Sequence, residues 1–417
     1  MPRGNDPDVD QRRLRRSAAL AGVGDGIAGV ALPLLATRLT RDPLAIAGVV
    51  AAQQAPWAVM ALLGPLTVGR VDRRTSVGLV DSVRAVAVAY LGVRVLAGTD
   101  TISLVQLAAA VVGLGQVVTD DGERAATVVL VPGPGAVSAT SRAAVWGMVG
   151  LAVVGLPAGG VLYELFAPAS VLAVVFPYAL AALFVLGVRH PVTGEAGDRA
   201  PRPRLAGGTL PVVATTVLSA GATGAVLGVL VLFALDDLGL GAPAFGLLLA
   251  ALALAAAVGA ALAPAAGRLL GLRPALALAL LATAGGHVAT SVLADPVRPE
   301  PAALALGVAT GSAMMAGVLL RGLLHLSAGR VVEGPGLAAF HTAAWAAVPV
   351  GALVGGAVAR EVGVADLIAW TAPATVLAAL TVTTIRLAPS DATNRLTPAA
   401  APWSDALVLG NDQREGV

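Results

Sequence analysis

The sequence predicts an all-α integral membrane protein of twelve transmembrane helices, built as two pseudo-symmetric six-helix bundles. Three observations carry that expectation. Hydrophobic residues make up 57% of the chain and charged residues 12%, whereas about a quarter of a soluble domain is charged. Twelve stretches each hold the roughly 20 apolar residues that cross a ~30 Å hydrocarbon core. The longest polar break between them, residues 189–208, leaves six stretches on either side.

Taken in order, the spans are expected near 17–37, 44–69, 75–97, 102–122, 141–163 and 169–188, then 209–235, 243–266, 274–294, 301–324, 337–358 and 364–385. Residues 1–16 form a cytoplasmic tail. The first bundle covers 17–188 and the second 209–386. The break at 189–208 is rich in Pro, Gly and Arg, so it reads as a flexible cytoplasmic linker. Residues 387–417, rich in Pro, Ser, Thr and Asp, read as a disordered cytoplasmic tail. Arg12-Arg13-Leu14-Arg15-Arg16 before an apolar run resembles a secretory signal. Asp25 inside that run, and no convincing cleavage site, favour a retained first helix.

All 27 basic residues are Arg, which fits a GC-rich coding bias, and the net charge of +2 gives no reason to expect nucleic acid. With the N-terminus inside, nineteen arginines fall on cytoplasmic segments and five on the opposite side. The positive-inside rule then places both termini in the cytosol of a bacterial-type cell membrane. Cysteine is absent, which removes disulfides and thiolate metal sites. The histidines (190, 287, 325, 341) are too scattered for a metal motif. No phosphate-binding Gly-x-x-x-x-Gly-Lys loop occurs, so ATP is not the expected energy source. No enzyme constellation, cofactor site or metal site is expected.

The two halves repeat weakly. Gly155-Leu-Pro157-Ala-Gly159-Gly160 recurs as Gly351-Ala-Leu-Val-Gly355-Gly356, an offset of 196. Gly69-Arg70 recurs as Gly267-Arg268 and Arg124 as Arg321, at offsets of 198 and 197. Between spans 2 and 3 lies Gly64-Pro65-Leu66-Thr67-Val68-Gly69-Arg70-Val71-Asp72-Arg73-Arg74.

That loop resembles the signature between helices 2 and 3 of the major facilitator superfamily. Arg70, Asp72, Arg73 and Arg74 fit the family pattern, while Pro65 takes a Gly position and Gly69 replaces an Asp. In the family that Asp helps latch the two halves, so its loss puts gating by the loop in doubt. The helix 5 glycines resemble the Gly-Pro-x-x-Gly-Gly motif of proton-coupled exporters, with Pro157 moved one place. Gly24-Asp25-Gly26, Ala31-Leu32-Pro33-Leu34-Leu35, Asp81-Ser-Val-Arg84-Ala85, and Asp120 with Leu130-Val131-Pro132 resemble the branch containing enterobactin and macrolide exporters. Gln116 stands where that branch suggests a Glu.

Charged residues inside spans are costly, roughly 2.5–3.5 kcal/mol at a helix centre, and mark functional or pairing positions. Asp25 is the leading proton-coupling candidate; its alternative is a structural bond to backbone or to Arg84. Asp120 and Glu123, in a charged cluster at the end of helix 4, are the other coupling candidates. The alternative for them is a wet helix end. Asp81 and Arg84 lie one turn apart and read as an internal ion pair. Arg124 pairs with Asp120 by spacing, and Arg321 either pairs or snorkels. Arg70 and Arg73 are expected to serve conformational cycling. The glycines of helices 5 and 11 are expected to let the halves approach.

The resemblance implies a central cavity lined by helices 1, 4, 7 and 10. Candidates are Gln53, Gln54 and Trp57 on helix 2, Gln116 on helix 4, Thr216, Ser219 and Thr223 on helix 7, and Ser312 and Met315 on helix 10. Hydroxyls in helices also bond their own backbone. The expected function is proton-coupled export of a small amphipathic molecule, by alternating access, from a monomer in the lipid bilayer. Uptake or facilitated diffusion is the rival transport reading. A ligand sensor or scaffold that moves nothing is the rival from another class.

Overall fold

A computed structural model describes the backbone of residues 7–67, 73–130, 135–188, 210–327 and 335–385. Twelve long helical segments follow one another. In the first half these are α1 (Pro7–Leu39), α2 (Pro43–Thr67), α3 (Arg73–Leu96), α4 (Ile102–Leu130), α5 (Gly135–Val149 continued by Leu156–Leu165) and α6 (Ala167–Ala173 continued by Val175–Leu186). In the second half they are α7 (Leu210–Leu232), α8 (Ala242–Leu270), α9 (Leu272–Val292), α10 (Glu300–Ser327), α11 (Pro335–Val362) and α12 (Val364–Val382). A π-helical turn, Gly150–Gly155, joins the two parts of α5, and another, Phe233–Asp237, closes α7. No strand occurs among the described residues.

Eleven of these segments are long and apolar enough to cross a membrane. The remaining one, α3, has 24 residues, about 36 Å at helical rise. Its two faces show how it sits. Leu79, Val86 and Val93 are exposed, while Asp81 and Arg84 are fully buried. A water-soluble helix does the reverse. Exposed Leu107, Leu183, Leu254, Leu304 and Leu380 extend the same apolar exterior to other helices. This is a multi-pass membrane protein whose polar groups face inward.

Packing repeats between the halves. In the first, α1 packs on α4, α5 and α6, and α3 on α4 and α6; in the second, α7 packs on α11 and α12, and α9 on α10 and α12. The halves meet along two lines, α2 against α11 and α5 against α8. Each line is the image of the other under exchange of halves. A polar device also repeats. Arg74, at the start of α3, donates to the carbonyl of Val188 at 2.6 Å, and Arg273, at the start of α9, donates to the carbonyl of Ile385. Both arginines satisfy carbonyls left open where the last helix of the half ends.

Two element boundaries differ from expectation. Helix α1 begins at Pro7, ahead of the apolar run, because Arg12–Arg16 continue it as a polar helical turn. Helix α4 runs to Leu130 rather than 122. Glu123 and Arg124 are good helix formers and no proline intervenes before Pro132, so the acidic cluster lies within the helix and not at its end. The linker from 189 and the tail from 386 lie outside the described residues.

Candidate functional site

A polar network occupies the interior of the first half. Arg84 enters it from α3 with its side chain wholly buried. Its Nη1 donates to Asp81 Oδ1 at 3.0 Å, and its Nη2 donates to Asp25 Oδ1 and, at 3.0 Å, to the Tyr178 hydroxyl oxygen. Tyr178 donates its own hydroxyl to Asp25 Oδ1 at 2.7 Å. The guanidinium carbon lies 3.9 Å from the Tyr178 ring centroid, within range of a cation–π contact. Thr119 on α4 donates to Asp81 Oδ1 at 3.2 Å. Asp81 Oδ2 is buried and accepts no hydrogen bond among the described residues.

Two glycines make room for this network. A Cβ at Gly115 would stand 1.9 Å from Arg84 Cδ, and one at Gly24 would stand 2.5 Å from a Tyr178 ring carbon. Gly24-Asp25 therefore admits the tyrosine ring and then accepts its hydroxyl. Among the described residues the cluster sets one guanidinium against two carboxylates. Buried charges are tolerated only when compensated, and among the described residues these three groups are one positive charge short when both acids are ionised.

Beside it opens a cavity of about 580 Å³. Asp25, Gln54, Trp57, Gln116, Thr119 and Asp120 line it, together with Thr140, Gly147, Met148 and Leu151 of α5 and Trp345 of α11. Asp25, with a side chain 14% exposed, joins the cavity to the buried network. Trp57 and Trp345 stack across the halves, ring centroids 4.5 Å apart. The cavity borders the π-helical turn of α5, where the Gly22 and Gly26 positions leave only 2.2 Å and 2.6 Å between an added Cβ and the Gly147 and Leu151 carbonyl oxygens. Among long helices, π turns recur at functional sites.

The opposite end of the molecule is shut. A Cβ at Gly160 would lie 2.4 Å from the Ala242 carbonyl oxygen, and one at Gly356 would lie 2.7 Å from Ala47 Cβ and 2.8 Å from Leu44 Cα. Two ion pairs bridge the halves there: Arg41 to Asp236 at 2.9 Å, and Arg360 to Asp42. The hydrogen bond from Arg360 holds the Asp42 carboxyl below its ordinary 3.8.

Several expectations need correction. Gly159 faces Ile27 and Val30 of its own half, and Gly355 faces Ala225 of its own half. Gly155 and Gly351 likewise pack on α1 and α7. Of the paired motif, Gly160 and Gly356 make the contacts between halves. Pro157 follows the π-helical turn, at the start of the second part of α5.

On α7 the hydroxyls of Thr216, Ser219 and Thr223 each bond a carbonyl four residues earlier, and none lines the cavity. Ser312, Met315 and Gln53 do not line it either; Met315 packs on an apolar core of the second half, and the Gln53 backbone crosses Gly113 of α4. Arg321 is exposed on α10 and enters no ion pair among the described residues. His287 is buried against the Thr371 hydroxyl at 2.8 Å. Gly69, Arg70 and Asp72 lie outside the described residues, as do the side chains of Arg73, Glu123, Arg124, His325 and His341. Sequence reasoning missed Tyr178, Thr119 and Trp345. No local pattern signals them, because each acts through a helix distant in sequence.

No protein-family model and no curated protein sequence matches the chain. Solved structures do. The crystal structure of the nucleoside transporter NupG has a TM-score of 0.70 at 12% identity, over 90% of this chain and 99% of that one. A bacterial homologue of the iron transporter ferroportin, in an inward-facing state, has a TM-score of 0.70 at 12% identity, over 90% and 98%. A bacterial homologue of the human lysosomal transporter Spinster, inward-facing and occupied, has 0.64 at 12%, over 93% and 100%. The chain has the major facilitator fold of twelve helices, and at this identity the likeness is one of fold.

Proposed function

We propose that this chain is a secondary active transporter of the major facilitator superfamily that exports a small amphipathic molecule in exchange for protons. The observation that carries this reading is the pairing of a shut end with a cavity toward the other. A fold made of two halves that touch along two symmetric lines closes one end and opens the other by rocking. The buried Asp25–Arg84–Asp81 cluster, one positive charge short, supplies a place for a coupling proton where Asp25 meets the cavity, with Asp120 as the second acid. The arginine distribution supports cytosolic termini, and with that orientation the open end faces inward, as in the ferroportin and Spinster homologues. The motif fragments on helices 1, 3 and 4 favour the exporter branch.

Cells lacking or overproducing the chain, challenged with a panel of amphipathic compounds, test this. Export predicts raised tolerance on overproduction that a protonophore abolishes. Lowered tolerance indicates uptake. An unchanged profile, with ligand binding intact, indicates a sensor.

A further inference from the structure

We infer that solute enters the cavity sideways, from the bilayer, through a cleft between α5 and α8. The site then takes an amphiphile whose polar group occupies the cavity while its apolar chain trails through the cleft. The purpose of such a portal rests on the transport reading; its existence does not.

The two lines along which the halves meet are unlike. On one, Trp57 of α2 and Trp345 of α11 stack beside the cavity and seal it. On the other, Leu156–Leu165 and the π-helical turn of α5 pack on α8, while Gly135–Val149 does not share in that packing. The contact runs from Gly160, against Ala242, to Leu156, whose carbonyl oxygen stands 2.5 Å from a Cβ placed at Gly246. Past the π-helical turn, which takes up one extra residue, the same side of α5 carries Ser141, Ala144, Val145 and Met148. All are exposed. The facing stripe of α8 changes in the same way. Ala250 and Ala253 are half-buried, and one turn further on Ala257, Ala261 and Pro264 are exposed. Ala144 and Met148 also line the cavity, so cleft and cavity share a wall.

Side-chain size accounts for the difference. Gly356 meets Pro43 and Leu44 as Gly160 meets Ala242 and Pro243. That offset of 199 carries Trp57 of α2 to Ala256 of α8, and the repeat offset of 197 carries Trp345 of α11 to Met148 of α5. Two stacked indoles on one side therefore correspond to a methyl group and a flexible thioether on the other, too little to span helices that diverge. The walls of the cleft at Val145, Met148, Ala257 and Ala261 are apolar, whereas the cavity behind them offers Gln54, Gln116 and Thr119. An apolar slot leading to a polar chamber sorts a molecule by its two ends. The chain keeps a hydrocarbon environment throughout, and the polar group finds hydrogen-bond partners before it loses water.

The chain has no cysteine, so Gln54→Cys places a single thiol on the cavity wall across from the cleft. At helical rise it lies about 16 Å from the shut end of α2, near the middle of a ~30 Å hydrocarbon core. The probe, in nanodiscs, is a phosphatidylethanolamine carrying a maleimide on its amine and a photoreactive diazirine in one acyl chain. A sulfonated, water-soluble maleimide reports access from water. Both reagents should label the thiol. Illumination of the lipid-labelled protein should then cross-link the acyl chain to α5 and α8, read by peptide mass spectrometry. Met148→Trp with Ala256→Trp rebuilds an indole pair on the open side. It should slow the lipid reagent about tenfold and leave the water-soluble one unchanged. Labelling by the water-soluble reagent alone overturns the portal and leaves the transport reading standing, and so do cross-links confined to α2 and α11. An unslowed lipid reagent in the folded double variant overturns it too. The first two results need no closing variant, so misfolding of that variant leaves the test intact. Labelling by neither reagent refutes the open cavity and the portal with it. Lipid labelling and cross-links to α5 and α8 in a protein that carries nothing across a membrane would refute the transport reading and leave the portal standing.

Discussion

Replacing Gly160 with Ala adds one methyl group at the shut end, and the structure gives the size of the effect. The new Cβ would meet the Ala242 carbonyl oxygen at 2.4 Å and Pro243 Cα at 3.0 Å. Ordinary contact begins near 3.4 Å, so α5 and α8 must separate by about 1 Å. Both opposing atoms belong to backbone, and no flexible side chain can yield. Overpacking of this kind costs roughly 1–3 kcal/mol, and only in the arrangement where this end is shut. The balance between arrangements should therefore shift by about 5–150-fold toward the one open here.

The chain has no cysteine, so Leu44→Cys on the other contact line, beside Gly356, gives a single reporter. Its labelling by an impermeant thiol reagent should accelerate in the Gly160→Ala background. Gly159→Ala is the control. Its clash, 3.0 Å to Ile27 and Val30, falls inside the first half, so it should lower thermal stability without exposing residue 44. Unchanged labelling in folded Gly160→Ala protein would refute the reasoning, because the halves would not part along that line.

Other outcomes follow from the same geometry. The Asp42–Arg360 pair contributes fully above the ordinary Asp value of 3.8 and is lost as pH falls through the lowered one. A dye on Leu44→Cys should therefore report loosening only in strong acid, and Arg360→Ala should loosen the end at neutral pH and remove that acid response. High salt should mimic part of the effect, since the pair is exposed. Arg74→Ala and Arg273→Ala should each lower stability by about 0.3–1 kcal/mol, read as a fall in Tm, and losses of unlike size would mean the repeated caps are not equivalent. Reporter fusions after Arg16, within 195–204 and after Arg395 should all read cytosolic; an external reading from any one of them alone would overturn the twelve-helix count.

Much of the architecture was legible because membrane helices announce themselves by apolar length. The amphipathic start of α1 and the charged stretch of α4 escaped because an apolar count stops at the first polar residues. Asp81–Arg84 was legible from its one-turn spacing, and Asp25 from its isolation in an apolar run. Tyr178 was not, since its role exists only where α6 crosses α1 and α3. The motif glycines were found, but which of two adjacent glycines faces the other half depends on helix rotation, which spacing in a glycine-rich helix does not fix. The α7 hydroxyls misled for a local reason: each is satisfied four residues back on its own helix. Arg74 and Arg273 stand 199 residues apart, close to the repeat offset, yet their shared role appeared only with the helix ends they cap.

The central claim is that a proton travels through the Asp25–Arg84–Asp81 cluster in exchange for solute. Proteoliposomes with an acidic interior, ethidium outside and the membrane potential clamped test it most directly. One-for-one exchange predicts ethidium accumulation of about tenfold per pH unit, abolished by a protonophore and lost in Asp81→Asn while dye exchange at equal pH continues. Equal concentrations inside and outside for the unmodified protein, or full accumulation by folded Asp81→Asn, would contradict it.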